Sequence, residues 1–340
     1  MIIRRLNVDY PERSFAWHNP DSTETLVPGL VDIHCHGVAG LDVMDGDAAQ
    51  IGVELRQRGV EWYCPTTVTA SISQIQAALT GLAGGFPGFA GVHLEGPFVN
   101  PEKAGAQPPE HIVHPLDVDL EAELGQLMGL VRIVTLAPEM PGAHPFVQRL
   151  SARGVLCSIG HSNAKASEVG AAFNSGARNF THFFNAMSPL SHREPGCVGF
   201  GLSHSSNCEL IYDRVHVCRE AAEILFRCRG NFEVIGISDG TKLSGTAEGT
   251  EAEMWGYAAT HRDGCARLPD GTLAGSAVTL AEVFSNIWQD FGPEAAILAC
   301  SENPRRLLGL PESEIWLRVD TEGKIVEVYK GNLSAIESGS

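Results

Sequence analysis

The segment Val31-Asp32-Ile33-His34-Cys35-His36-Gly37 sets two imidazoles two residues apart. In an extended chain, residues at that spacing project to one face, so both rings can reach a single ion while Cys35 points the other way. Gly37 and Gly40 leave room for close backbone approach. Alone, such a pair is a weak signal, because neighbouring histidines also occur in cores and at surfaces. A second cluster, His93-Leu94-Glu95-Gly96-Pro97-Phe98, holds a carboxylate on a Gly-Pro turn, where it could ligate or bridge metal ions. His93 itself reads better as a hydrogen-bonded core residue than as a ligand. His161 in Gly160-His161-Ser162 and His182 in Thr181-His182-Phe183 each read alone as satisfied buried histidines. Together with Glu95 they supply the three protein ligands of an open catalytic metal site, with a position left for water. Asp239, in Ile237-Ser238-Asp239-Gly240, then completes the set as a base beside that water. An Asx turn or helix cap before Gly240 is an equally good reading of the same aspartate.

These residues can act together only if the fold gathers them. Short apolar, β-branched runs predict strands over 30–33, 61–68, 89–94, 131–136, 155–159, 178–181, 209–212 and 233–238. Between the second and third, Ile72, Ile75, Leu79 and Leu82 recur at helical spacing, and 119–130, 164–176 and 219–230 read the same way. Strand then helix, with connections too long for hairpins, predicts parallel βα units, and eight of them predict an α/β protein built as a (β/α)8 TIM-type barrel. In that fold the active site collects at the carboxyl ends of the strands. Here His34 and His36 end the first strand, His93 and Glu95 the third, His161 the fifth and His182 the sixth. His216 follows the seventh and Asp239 ends the eighth.

The chain ends behave differently. Ile315, Leu317 and Val319, then Ile325 and Val328, alternate around Thr321-Glu322-Gly323-Lys324, which predicts a β-hairpin. With a companion strand over 1–8, it would form a small flanking sheet. The expected division is thus 1–27 for the first part of that small β subdomain, 28–310 for the metal-dependent hydrolase barrel, and 311–340 for the hairpin and a tail that frays from 337.

The chain has 340 residues, 44% hydrophobic and 19% charged, which is ample for a large core. Twenty-four Lys and Arg stand against 41 Asp and Glu, a net charge of −17, which argues against nucleic acid and anionic membranes as partners. Nine cysteines without a CxxC pair point to free thiols in a reducing compartment. The first residues lack the apolar core of a signal peptide, and no run approaches the ~20 apolar residues of a membrane span. A soluble, cytoplasmic protein is expected.

Several segments carry a family resemblance: His93 to Phe98 with Lys103-Ala104-Gly105-Ala106-Gln107-Pro108, Val134-Thr135-Leu136-Ala137-Pro138-Glu139, Gly160 to Ala164, Thr181 to Met187, Arg193-Glu194-Pro195-Gly196 and Leu273-Ala274-Gly275-Ser276. Between about residues 28 and 310, and in the same chain order, they resemble the N-acetylglucosamine-6-phosphate deacetylases of the amidohydrolase superfamily. The resemblance implies a metal site of Glu95, His161 and His182, with Asp239 as the catalytic acid/base. His34 and His36 match family members that hold a second ion, where others use one. It implies one or two divalent ions, zinc first, with iron and manganese as alternatives. It further implies that Ala106, Gln107, Asn185, Ala186, His216 and the Leu273, Ala274, Gly275 loop contact the sugar, with Arg193 on its phosphate, in a homodimer.

The expected reaction is hydrolysis of the acetamide of N-acetylglucosamine-6-phosphate to glucosamine-6-phosphate and acetate. The alternatives are the N-acetylgalactosamine-6-phosphate or a related N-acyl amino sugar as substrate, or a catalytically inactive sugar-phosphate-binding barrel. The fourth strand ends in Ala137-Pro138-Glu139 without a lysine, which favours this branch over dihydroorotase-like or urease-like relatives. Gln107 stands where some members have His, and Arg214 where Gly is usual; both are expected to border the sugar pocket. The C-terminal segment lacks a Gly-Lys-Asp-Ala-Asp type run, which predicts a reduced flanking sheet. At a net charge of −17, phosphate has to be captured locally, within a Debye length of about 8 Å, by Arg193 and the metal. An ordinary surface arginine paired with Glu194 is the alternative for Arg193.

Overall fold

Eight parallel strands form the centre of the protein: β1 (Leu30–Cys35), β2 (Val60–Thr67), β3 (Val92–Glu95), β4 (Val131–Leu136), β5 (Leu156–Ile159), β6 (Asn179–Phe180), β7 (Asn207–Ile211) and β8 (Val234–Ile237). In the computed structural model, which describes residues 17–18 and 25–331, each strand pairs with its sequence neighbour. The ring closes between β8 and β1 through Asp239 N to His34 O at 3.0 Å and His36 N to Gly240 O at 2.8 Å. The expected strands are all present. β3 is shorter than its apolar run, and only a single bridge from Phe89 to Tyr63 precedes it.

Helices cover the outside. Ile72–Thr80 starts at a capping box in which Ser71 and Gln74 satisfy each other's backbone N–H, and it buries Ile75 and Leu79 against the barrel. The helix expected over 119–130 is split into an α-helical turn, Leu120–Leu124, and a 3-10 stretch, Gly125–Leu130, because Gly125 leaves helical backbone geometry. The other two expected helices are present as Ala166–Ser175 and Arg219–Arg229. Among the described residues no helix is long and apolar enough to cross a membrane.

Inside the barrel, Val31, Ile33, Cys64, Ile133, Ile235 and Ile237 pack into an apolar cluster with Leu308. A hydrogen-bonded belt of polar side chains runs around the barrel with it. His34 Nδ1 meets Glu209 Oε2 at 3.1 Å, and Asn179 Nδ2 donates to both Glu209 Oε1 and Ser158 Oγ, at 2.7 and 2.9 Å. Ser158, Thr181 and Thr135 join through their hydroxyls, and Thr135 Oγ1 lies 2.7 Å from His93 Nε2. His93 Nδ1 returns to Ile33 O on β1 at 3.1 Å, so His93 is the buried, hydrogen-bonded core residue expected.

Two further four-stranded sheets flank the barrel. Trp17–His18, Thr25–Pro28, Ile315–Val319 and Ile325–Lys330 form one, with the last two strands as the expected hairpin. Asp320 Oδ1 closes that turn by accepting from Glu322 N and Lys324 N, both at 2.9 Å. The strand expected over 1–8 and the tail from 337 lie outside the described residues. The other sheet was not anticipated: Glu251–Met254, Tyr257–Arg262, Cys265–Arg267 and Leu273–Ser276 are antiparallel and inserted after β8. Its last strand joins the barrel mouth through Ser276 N to Asp239 O at 2.9 Å.

Candidate active site

Three of the expected residues sit two positions past the end of a strand and adopt the left-handed backbone region: His161 (φ 46°), His182 (φ 31°) and Asp239 (φ 46°). Non-glycine residues there cost about 1–3 kcal/mol each. The kink turns each side chain over the barrel mouth instead of letting the strand run on. Glu95 closes β3, and Gly96 after it is obligatory, because a Cβ there would collide with Thr69 Oγ1.

The six residues converge. Glu95 Oε1 is 3.1 Å from His161 Nε2, 2.9 Å from His182 Nε2 and 3.5 Å from His34 Nε2, and its Oε2 is 3.2 Å from His36 Nε2. Asp239 Oδ1 lies 3.3 Å from His34 Nε2 and 3.4 Å from His36 Nε2. The donor atoms fall into two groups of three, Glu95 with His161 and His182, and His34 with His36 and Asp239. Glu95 lies between the two pairs of rings.

The far side of each ring explains this arrangement. His36 Nδ1 is 3.1 Å from Thr66 O, His161 Nδ1 is 2.8 Å from Lys103 O, and His34 Nδ1 is held by Glu209. Such acceptors take the Nδ1 proton and leave the Nε2 lone pair facing the centre. Within each pair the Nε2 atoms are only 3.2 Å (His34 and His36) and 3.0 Å (His161 and His182) apart. Two lone pairs at that distance repel unless a proton or a cation lies between them.

The titration behaviour says the same. Burial pushes Glu95 up, but the imidazoles of His34 and His161 overcome it and hold the carboxyl well below its usual range. Asp239 is likewise raised by burial and brought net below its usual value by His34 and His36. Burial lowers His34, yet Glu95 and Asp239 carry it well above the ordinary histidine value. His36 is lowered by burial and raised by Asp239 and Glu95, with a net rise to about 9. The cluster is built for positive charge, and its imidazole and carboxylate donors suit a divalent ion.

Above it opens a cavity of about 300 Å³. Its wall includes His36, Glu95, His161, His182 and Asp239, and the expected contact residues Ala106, Gln107, Asn185, Ala186, His216, Leu273 and Gly275. His34 lies beneath, fully buried. Two expected contacts do not line the cavity. Ala274 alternates away from it along Leu273–Ser276 and packs with Leu243 and Met254. Arg193 stands exposed before the helix Gly196–Ser203, and Glu194 does not pair with it but accepts from Ala166 N and Gly196 N. Arg214 does not border the pocket either. It takes the left-handed position (φ 68°) that suits glycine, and it reaches outward to Asp290 Oδ2 at 2.8 Å and Gln289 Oε1 at 3.1 Å. Gln107 is in the wall, but its amide is committed to Glu95 Oε2 and Thr69 N, both at 2.6 Å.

The sequence reading missed Lys103, Trp255 and Glu209. Lys103 lies in a segment that carries the family resemblance, and among the described residues it is the one Lys or Arg in the cavity wall. Trp255 belongs to the inserted sheet; its indole N–H is buried without an acceptor, and its ring meets that of His36 at 5.1 Å. Glu209 had a signal, a carboxylate in the middle of the apolar run of β7.

No family model matches the chain. It is 35% identical over 326 residues to the N-acetylglucosamine-6-phosphate deacetylase of Bacillus subtilis (strain 168), covering 89% of this chain and 80% of that protein. It is 37% identical over 304 residues to the N-acetylgalactosamine-6-phosphate deacetylase of Escherichia coli O157:H7, with 84% and 79% covered. Among solved structures, the N-acetylglucosamine-6-phosphate deacetylase of Thermotoga maritima superposes with a TM-score of 0.82 at 30% identity, covering 90% of this chain and 87% of the other. A mutant of the Mycobacterium smegmatis enzyme in complex with N-acetyl-D-glucosamine-6-phosphate gives 0.84 at 26% identity, covering 93% and 90%. Fold and site together define a barrel hydrolase that acts on an amide. The chain belongs to the N-acetylglucosamine-6-phosphate deacetylase family. Its relatives are enzymes by name, which removes support from the catalytically inactive barrel.

Proposed function

We propose that this protein hydrolyses the acetamide of N-acetylglucosamine-6-phosphate to glucosamine-6-phosphate and acetate. The observation that carries the reading is the convergence of four Nε2 atoms and two carboxylates on the floor of one cavity. Glu95, His161 and His182 would hold one divalent ion, and His34, His36 and Asp239 a second, with zinc favoured by the donor set. A divalent ion there supplies Lewis acidity, polarising the amide carbonyl and acidifying water to a pKa of roughly 7.

The chain's own groups do the rest. Asp239, ionised because its carboxyl lies below its usual range, accepts a proton from the attacking water. It returns that proton to the sugar nitrogen as the C–N bond breaks, so the amine leaves neutral and the acid formed gives up its remaining proton to solvent as acetate. Gln107 orients Glu95, as its 2.6 Å hydrogen bond suggests. His216, whose Nδ1 is held by Asp213 Oδ2 at 2.6 Å, keeps Nε2 for a sugar oxygen. Lys103 in the cavity wall is the group we assign to the phosphate. The proposal carries with it the homodimeric state that the family resemblance implies and the cytoplasmic location expected from the sequence.

Acetate and free-amine release from the two N-acetylhexosamine 6-phosphates tests this reading. The galactosamine series is the second reading, favoured by the 37% identical relative of that name. Turnover of the glucosamine compound in excess of its C4 epimer is expected; no acetate from either after divalent-ion loading would end the proposal. Lys103→Met is expected to raise KM for the phosphorylated sugar, with Arg193→Ala doing less, whereas the reverse order would return the phosphate to Arg193.

A further inference from the structure

One ligand-like cluster stands apart from the hydrolytic centre. Asp213 and His216 come from the loop after β7, and Cys265 begins the third strand of the inserted sheet. Cys265 Sγ lies 3.4 Å from Asp213 Oδ2 and 3.7 Å from His216 Nδ1, and those two atoms are 2.6 Å apart. One oxygen, one nitrogen and one sulfur thus lie within 4.8 Å of one another. The loop is fixed from below, because Asp213 Oδ1 accepts from Val215 N at 2.8 Å and from His216 N at 2.7 Å. The Asp213 and His216 side chains are 0% and 4% exposed, so the donors are held rather than swinging in solvent.

The chemistry differs from that of the hydrolytic groups, which offer only nitrogen and oxygen. Tetrahedral bonds of about 2.0–2.3 Å place donor atoms roughly 3.3–3.7 Å apart. The two sulfur distances already fall there, and only the Asp213 to His216 pair has to open. A thiolate selects soft cations over magnesium, calcium or manganese.

We propose that Asp213, His216 and Cys265 form a separate site for a thiophilic divalent cation, zinc or cadmium, that clamps the inserted sheet to the wall of the substrate cavity. Coordination displaces two protons. The thiol proton goes to solvent, and the proton on His216 Nδ1 moves to Nε2, so the ring binds as a neutral imidazole. Burial and the Asp213 carboxylate push the Cys265 thiol up, so the cation competes with a tightly held proton and binds more strongly as pH rises. Because His216 lines the cavity, occupancy changes what that ring offers a ligand. The site's existence is independent of the proposed reaction, whereas an effect on turnover rests on it.

Cadmium added to the zinc-loaded protein tests the site through the thiolate-to-cadmium charge-transfer band in the ultraviolet. Neither hydrolytic group contains sulfur. One equivalent of band per chain is expected, lost in Cys265→Ser and retained in a Cys218→Ser, Cys228→Ser double variant, which removes the two exposed thiols. Asp213→Asn, which leaves the thiol in place, is expected to weaken cadmium binding by about tenfold or more. A band that persists in Cys265→Ser, or no band in the parent protein, overturns the proposal and leaves the cluster as a hydrogen-bonded support for His216. Should Cys265→Ser fail to fold, the Asp213→Asn titration decides: an unchanged affinity contradicts the site.

Discussion

The two ends of the barrel use charge in opposite ways. At the amino end Glu61 is almost fully buried, and its carboxylate accepts from Arg305 Nη2 at 2.8 Å, Ser313 Oγ at 2.6 Å and Glu314 N at 2.7 Å. Arg305 Nη2 also donates to Gly29 O at 2.9 Å. Each charge there answers another within the chain. At the carboxyl end Glu95 and Asp239 face imidazoles whose protons point outward, and left-handed residues hold them in place. The first end satisfies its buried carboxylate from within the chain. The second stores strain and like-facing lone pairs that a ligand relieves, which is how a fold reserves one face for chemistry.

Asp239→Asn is the largest expected effect. It should lower kcat by about 10²–10⁴-fold, as loss of a general base does, while the ion held by Glu95, His161 and His182 is retained in the same sample. An active, metal-replete variant would remove Asp239 from the reaction. Arg305→Ala strands the Glu61 charge and is expected to cost about 3–5 kcal/mol in denaturant unfolding, with metal content unchanged in the folded protein. If it emptied the metal site instead, the two ends would not be independent.

Glu209→Gln sharpens the contrast within the upper end. It weakens the hold on His34 Nδ1, so affinity for the second ion should fall by about 10–100-fold while the first is retained. Equal loss of both ions would make Glu209 a general prop. The smallest effect is in pH. In chelator-treated protein His34 and His36 titrate above the ordinary histidine value, so the stability they contribute is present below about pH 6.5. It drains away as pH rises through about 9 for His36. Divalent ions compete with those same protons, so the melting-temperature gap between loaded and chelator-treated protein should widen over that range. A gap that ignores pH would detach these rings from the ion.

Much of this was legible in the sequence, for a physical reason. Parallel strands buried on both faces read as apolar runs, and a polar residue ending such a run stands out, as His34, Glu95, His161, His182 and Asp239 do. The belt beneath was less visible, because Thr135, Ser158 and Asn179 look like ordinary polar interruptions until the barrel brings them into a ring. The inserted sheet escaped because Glu251–Met254 and Tyr257–Arg262 are short and half exposed, with little apolar periodicity. Trp255 and Cys265 were missed with it. Arg214, expected to border the pocket, shows that the direction of a long side chain depends on neighbours such as Asp290 that are distant in sequence.

The central claim is that the carboxyl end is a cation site serving amide hydrolysis. Anomalous diffraction from crystals grown with divalent ion and product tests it most directly. The account predicts a peak bonded to Glu95, His161 and His182, a second between His34, His36 and Asp239, and the product amine beside Asp239. An active enzyme whose crystals show no anomalous peak at either group would contradict it.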